Sequence, residues 1–247
     1  MTDIKGGPER TGWKFSLLAG LVGVLVGALA VSLWFNIRGA GEARTEAIVR
    51  EYILENGEIL PEAIERMQRR QARAAVLENR QALERPYRGA WAGAENGDVV
   101  MVQFFDYACP YCQQVNGDVE RLLREDGRLK VVWREFPVLG PDSEAAAVAS
   151  LAAAEQGRWR QFHARMFALG RPTEAVRQQA IRDTGVTLPA APSEAMRAEV
   201  TRNAEMARAV GATGTPTFVI GDQVLQGAVG YEALKRAVAE ARTARRS

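Results

Sequence analysis

The sequence predicts an α/β domain preceded by a membrane-spanning helix and a helical stalk, and three observations carry that reading. Val99–Phe105 is a short, almost wholly apolar run that reads as a buried central strand, and a helix start follows it directly. Thr217–Ile220 and Gln223–Gln226 flank a Gly221-Asp222 turn and read as a second strand pair, with mostly helical sequence between the two strand regions. Far upstream, Phe15–Ile37 carries no charged side chain. As a helix it extends roughly 35 Å, enough for a bilayer core of ~30 Å.

In chain order, residues 1–38 read as a cytoplasmic leader and transmembrane anchor. Lys5, Arg10 and Lys14 precede the apolar run, Arg38 follows it, and Trp13 and Trp34-Phe35 mark its ends. A short basic leader stays in the cytoplasm, which exports everything after Arg38. Ala28-Leu29-Ala30 also fits a signal-cleavage pattern, but Val31–Phe35 continues the apolar run past it. Either way the rest of the chain reaches an oxidising compartment. The expected location is the outer side of the inner (cytoplasmic) membrane, in the periplasm or its equivalent.

Residues 39–88 read as a stalk. Ile53, Leu60, Met67 and Ala74 recur every seven positions and Ile64 adds to the seam, the pattern of a partial heptad. Asn56-Gly57 breaks it into two helices, about Ala43–Glu55 and Pro61–Glu84, with Pro61 suited to a first turn. The segment is either an oligomerisation device or an amphipathic spacer.

The 247 residues carry a formal charge of +2, so nothing points to nucleic acid or a strongly acidic partner. The chain has two cysteines and one histidine. A disulfide between Cys109 and Cys112 closes too short a loop to stabilise much. A zinc site needs four ligands, so no metal and no cofactor is expected. Redox use of the pair remains. Cys109 opens the helix that runs to about Glu125, with Pro110 where its missing N–H costs nothing. Helix-terminal N–H groups and the dipole favour thiolate there. Cys109 is therefore read as the exposed nucleophile and Cys112, one turn inward, as the resolving thiol.

Ser143–Gln156, with Ser143 as its cap, Trp159–Leu169, Thr173–Thr184 and Ser193–Val210 read as helices. Trp133 and Phe136 read as core. His163 reads as a packed, hydrogen-bonded histidine. Asp106 and Glu135 are able to take protons near the cysteines, although solvent-facing carboxylates are the commoner outcome.

Phe104-Phe105-Asp106-Tyr107-Ala108-Cys109-Pro110-Tyr111-Cys112, Phe136-Pro137-Val138-Leu139-Gly140 and Gly214-Thr215-Pro216-Thr217-Phe218 together resemble the DsbA-like family of thioredoxin-fold proteins, over about Tyr87–Ala241. The resemblance implies a thioredoxin fold over 89–247 with a helical insertion at about 143–210. It implies a cis Thr215–Pro216 bond packed against the Cys109–Cys112 disulfide, with the Thr215 backbone pairing with an extended substrate. Pro110 and Tyr111 support the pair. Substrates would be exported cysteine-containing proteins, and a membrane redox partner would reoxidise or reduce the enzyme. Ile48–Asn56 is similar to the amino-terminal segment of the copper-sensitivity-suppressor branch, some members of which oligomerise, so the resemblance admits a homo-oligomer through the stalk and leaves the spacer reading open.

The best-known oxidases of the family carry histidine between the cysteines; this chain has Tyr111. Tyrosine lends no imidazolium to a thiolate, so a milder potential is expected. Oxidase, isomerase and reductase remain open. A copper(I)-handling thiol module is the alternative from another class.

Overall fold

The computed structural model describes residues 12–245, and the side chains of residues 12–19 and 35–43 fall outside that description. The leader with Lys5 and Arg10 thus lies outside the described residues, as do the side chains at both ends of the apolar run Phe15–Ile37. Among those described, no helix is long and apolar enough to cross a membrane.

The chain divides into two compact units between Ala63 and Ile64. The first holds α1 (Gly12–Glu55) and the start of α2 (Ile59–Glu84). The break falls where Asn56-Gly57 predicts it. Asn56 donates both its backbone N–H and its side-chain Nδ2 to Tyr52 O, each at 2.9 Å, closing α1. Two details differ from expectation. The helix before the break does not begin at Ala43 but is continuous from Gly12, and α2 starts at Ile59, with Pro61 inside its first turn.

The second unit is built on a five-stranded sheet in the order β1-β3-β2-β4-β5. Its strands are β1 (Trp91–Gly93), β2 (Val99–Phe105), β3 (Leu129–Glu135), β4 (Thr217–Ile220) and β5 (Gln223–Gln226). β2 and β3 are parallel, pairing Val99 with Leu129 through Phe105 with Glu135. The other neighbours are antiparallel. The parallel connection is α3 (Pro110–Glu125). Between β3 and β4 lies the expected helical insertion: α4 (Pro141–Glu155), α5 (Trp159–Leu169), α6 (Glu174–Thr184) and α7 (Glu194–Ala209). α8 (Tyr231–Ala244) closes the chain.

Strand side chains alternate between faces, and the sheet therefore has two cores. Met101, Phe105, Val131, Trp133, Phe218 and Ile220 pack with α3, α4, α5 and α8. Val102, Phe104, Val132 and Val219 pack with Val76 and Leu83 of α2 and with Met206 and Ala207 of α7. The last part of the 39–88 segment is thus covered by the sheet. At Gly93 (φ 91°) a Cβ would lie 2.2 Å from Leu129 O, so only glycine lets β1 approach β3.

Thr173 and Ser193 cap α6 and α7, accepting from Val176 N and Met196 N. Ser143 does not cap α4. The N-cap is Gly140 with Pro141 at N1, which moves the helix start upstream and leaves Ser143 buried within the first turn.

Candidate active site

β2 ends at Phe105 and the chain turns through Asp106-Tyr107-Ala108 to Cys109, the N-cap of α3. The turn is closed by Cys109 N–H donating to Asp106 O at 3.1 Å. Pro110 occupies the first helical position, where no intrahelical donor is needed. Cys109 is 4 % exposed and Cys112 is fully covered. The order of exposure matches expectation, but Cys109 is not openly exposed. The thiol of Cys109 lies 3.1 Å from Thr215 O as a donor, and the Thr215–Pro216 bond is cis. The sheet brings these groups together because β4, which starts at Thr217, pairs with β2 through Thr217–Phe104.

The two sulfurs are electrostatically unlike. The Cys112 thiol donates to Cys109 Sγ, and this is the largest cause of the fall in the Cys109 pKa from 9.0 to about 5. Burial opposes it. The Thr215 side chain and the N–H groups of Cys112 and Tyr111 add to the stabilisation. Burial pushes the Cys112 thiol up, and its bond to the Cys109 sulfur pushes it further. At neutral pH the pair is one thiolate and one covered thiol.

Asp106 and Glu135 are not solvent-facing carboxylates; they are 1 % and 3 % exposed. Asp106 Oδ1 accepts from Ala108 N (2.8 Å), and Oδ2 accepts from Val138 N (2.9 Å) and Leu139 N (3.1 Å). Burial raises the Glu135 carboxyl well above the usual carboxylate range. His163 is packed and hydrogen-bonded as expected. Its Nδ1 shares a 3.0 Å bond with Tyr107 OH and its ring stacks on Trp159 at 4.3 Å. Burial lowers its pKa well below the ordinary histidine value, so it is neutral. Among the described residues no hydrogen bond joins His163 to either sulfur.

Cys109, Pro110, Cys112, Thr215 and Pro216 thus converge, with Tyr111 60 % exposed beside them. Val138 and Leu139 belong to the Phe136–Gly140 motif but have no role assigned from the sequence; they are exposed apolar side chains held to the cysteine turn through Asp106. Their signal was an apolar pair between Pro137 and Gly140 where a turn is otherwise polar. Among the described residues no group of three or more His, Cys, Asp or Glu is placed to hold a metal ion.

A thioredoxin family model matches residues 87–240, and the model of the copper resistance protein ScsC N-terminal domain matches residues 42–74. Among solved structures, a linker-deletion variant of Proteus mirabilis ScsC is 28% identical, with TM-score 0.69, covering 81% of this chain and 94% of that one. A periplasmic thioredoxin-like protein from Salmonella enterica serovar Typhimurium is 28% identical, with TM-score 0.58, covering 62% and 89%. A thioredoxin-like oxidoreductase from Silicibacter pomeroyi is 34% identical, with TM-score 0.58, covering 62% and 91%. Among curated proteins, the Na(+)/H(+) antiporter NhaA 3 of Salinispora tropica is 29% identical over 63% of this chain. The match covers 25% of the antiporter, so the chain spans at most about a quarter of the length of the curated relatives it matches. With the redox pair, the strand order and these matches in place, the chain belongs to the thioredoxin family of thiol–disulfide oxidoreductases, in its DsbA-like, ScsC-like branch.

Proposed function

We propose that the chain is a membrane-tethered enzyme that exchanges disulfides with exported proteins, with Cys109 as nucleophile, Cys112 as resolving thiol, and Thr215 and Pro216 as the wall that receives the substrate. The observation that carries this reading is a single low-pKa sulfur at a helix start, which accepts from a covered thiol and lies 3.1 Å from Thr215 O in the segment before β4. The Cys109 thiolate attacks a substrate disulfide, and the departing substrate sulfur leaves as a thiolate. Cys112 then gives up its proton and attacks Cys109 Sγ. The second substrate sulfur departs, leaving the Cys109–Cys112 disulfide and a reduced substrate. The reverse sequence oxidises the substrate. A two-thiolate copper(I) site is less well served by this pair, because burial favours the protonated form of Cys112.

Three further parts belong to the proposal. The uncharged run Phe15–Ile37 tethers the chain, and Leu21, Leu25, Leu29 and Leu33 on it are exposed apolar side chains, as a lipid-facing helix requires. The catalytic unit works on the periplasmic side, in keeping with the Salmonella relative. Residues 42–74, matched by the ScsC N-terminal domain, form a homo-oligomer through exposed Leu60, Ile64 and Met67. A membrane redox partner returns the pair to its working state.

The test is trapping. In the full chain, Cys112→Ser leaves the attacking sulfur but removes the resolving one, so mixed disulfides with exported proteins are expected to accumulate on non-reducing gels. Their absence in cells that produce the folded variant sinks the reading. A second measurement concerns the potential. A Cys109 pKa of about 5 lies between those of thioredoxin (about 7) and DsbA (about 3.5). The reduction potential against glutathione is therefore expected between about −270 and −120 mV. A value at or above the DsbA end contradicts the contribution assigned to Tyr111.

A further inference from the structure

The geometry points to Asp106 as a positioning residue that fixes the apolar pair Val138–Leu139 against the redox turn, so that the site selects extended cysteine segments with an apolar side chain beside the cysteine. This rests on the exchange reading above and adds a substrate preference to it.

Asp106 is bound in two directions. Through its main chain it belongs to the redox turn, because its carbonyl accepts from Cys109 N at 3.1 Å. Through its side chain it reaches the loop after β3. One carboxylate oxygen accepts from Ala108 N and the other from both Val138 N and Leu139 N. Three N–H groups thus point at one carboxylate that is 1 % exposed. A covered carboxyl group with fewer donors would be costly. These bonds hold the loop after β3 against the redox turn.

That position presents side chains outward. Val138 is 47 % exposed and Leu139 52 %, although both backbone N–H groups are tied inward. Tyr111, 60 % exposed, sits on the other side of Cys109 in sequence and in the same turn. Asp106 thus ties Val138 and Leu139 to the turn that ends in Cys109. An extended segment whose cysteine reaches Cys109 passes over it, and a neighbouring leucine or phenylalanine buries apolar area there. A serine or glycine does not.

Asparagine at position 106 keeps the shape but replaces one oxygen by an NH2 group, which turns a donor toward a donor. At least one of the three bonds is lost and the loop loosens. The experiment uses the full chain and its Asp106→Asn variant with three disulfide probes. These are glutathione disulfide, a peptide disulfide with leucine and phenylalanine flanking its cysteine, and the same peptide with serine and glycine. The wild type is expected to favour the apolar peptide by about tenfold in kcat/KM, mostly through KM. Asp106→Asn is expected to remove most of that preference, lowering kcat/KM for the apolar peptide several-fold more than for glutathione disulfide or for the polar peptide.

Equal losses on all three probes overturn the inference, because Asp106 would then act on the redox pair alone. A wild type with no preference overturns it too. Should Asp106→Asn fail to fold, Val138→Ser and Leu139→Ser leave the carboxylate in place and must lower the same preference; unchanged preference in both overturns the inference. A wild type that exchanges with glutathione disulfide but shows no peptide preference leaves the oxidoreductase reading standing, whereas one inert to every disulfide removes that reading itself.

Discussion

Cys109→Ser is expected to abolish disulfide exchange, with loss of at least about a thousandfold in insulin reduction and no mixed disulfide formed. A serine hydroxyl is not ionised near pH 7, and the donors that bring the Cys109 pKa to about 5 cannot compensate for that chemistry. The same substitution has a second readout. The folded thiol titrates near 5 against 9.0 for the ordinary group. Between these values the unfolded chain binds one more proton at this site, so the stability of the reduced form rises with pH. The contribution is absent below about pH 5, grows through neutrality, and is complete above 9. Near pH 7 it amounts to at most about 2.7 kcal/mol, and solvent screening lowers it further. Above 9 the covered Cys112 thiol, whose pKa is raised, works in the opposite sense. Urea unfolding of the reduced protein at pH 5 and pH 7 is expected to show the rise, and Cys109→Ser is expected to flatten it. An unchanged slope in the variant, or residual exchange within tenfold of the wild type, contradicts the assignment.

The elements that were legible in the sequence are those whose pattern matches their environment. β2 is covered on both faces and reads as one apolar run, β4 and β5 are set by Gly221-Asp222, and the α3 start is marked by Cys109-Pro110. β3 has the same burial as β2 yet was not read as a strand, because Lys130, Arg134 and Glu135 interrupt it. β1 has only three residues, too few for any period, and α8 lies beyond the motifs that drew attention. The carboxylates failed for a related reason. Residue type places Asp and Glu outside, but the crossing of two chain segments at Asp106 supplies three donors that no local pattern encodes. The fate of Val76 and Leu83 was hidden likewise, since a helix face that meets a sheet has the spacing of one that meets another helix.

Arg134→Met is expected to destabilise the second unit by about 3–5 kcal/mol. Arg134 is 2 % exposed on β3, facing α2 and α7. Burial lowers its pKa from 12.5 to about 10, which leaves it charged at neutral pH. Its guanidinium donates to Glu199 Oε1 at 3.0 Å and to Asn203 Oδ1 at 2.9 Å on α7. It also donates to Leu83 O at 3.0 and 3.1 Å, to Arg85 O at 2.6 Å, and to Ala82 O. The carbonyls at the end of α2 have no intrahelical donors, and a cation there meets the negative end of the dipole. Methionine fills much of the volume but supplies none of these bonds. Glu199, itself 3 % exposed, keeps only Arg202 at 2.9 Å. Lysine is not a conservative replacement, because a single ammonium cannot span both helices. In a unit of this size the loss corresponds to a fall in Tm of roughly 6–20 °C. Adding Glu199→Leu to Arg134→Met is expected to restore part of it, since the covered charge no longer lacks its cation. Thermal unfolding of both variants decides the matter: a fall below about 1 kcal/mol for Arg134→Met, or no recovery in the double variant, contradicts the role given to Arg134 in fastening the end of α2 to the sheet.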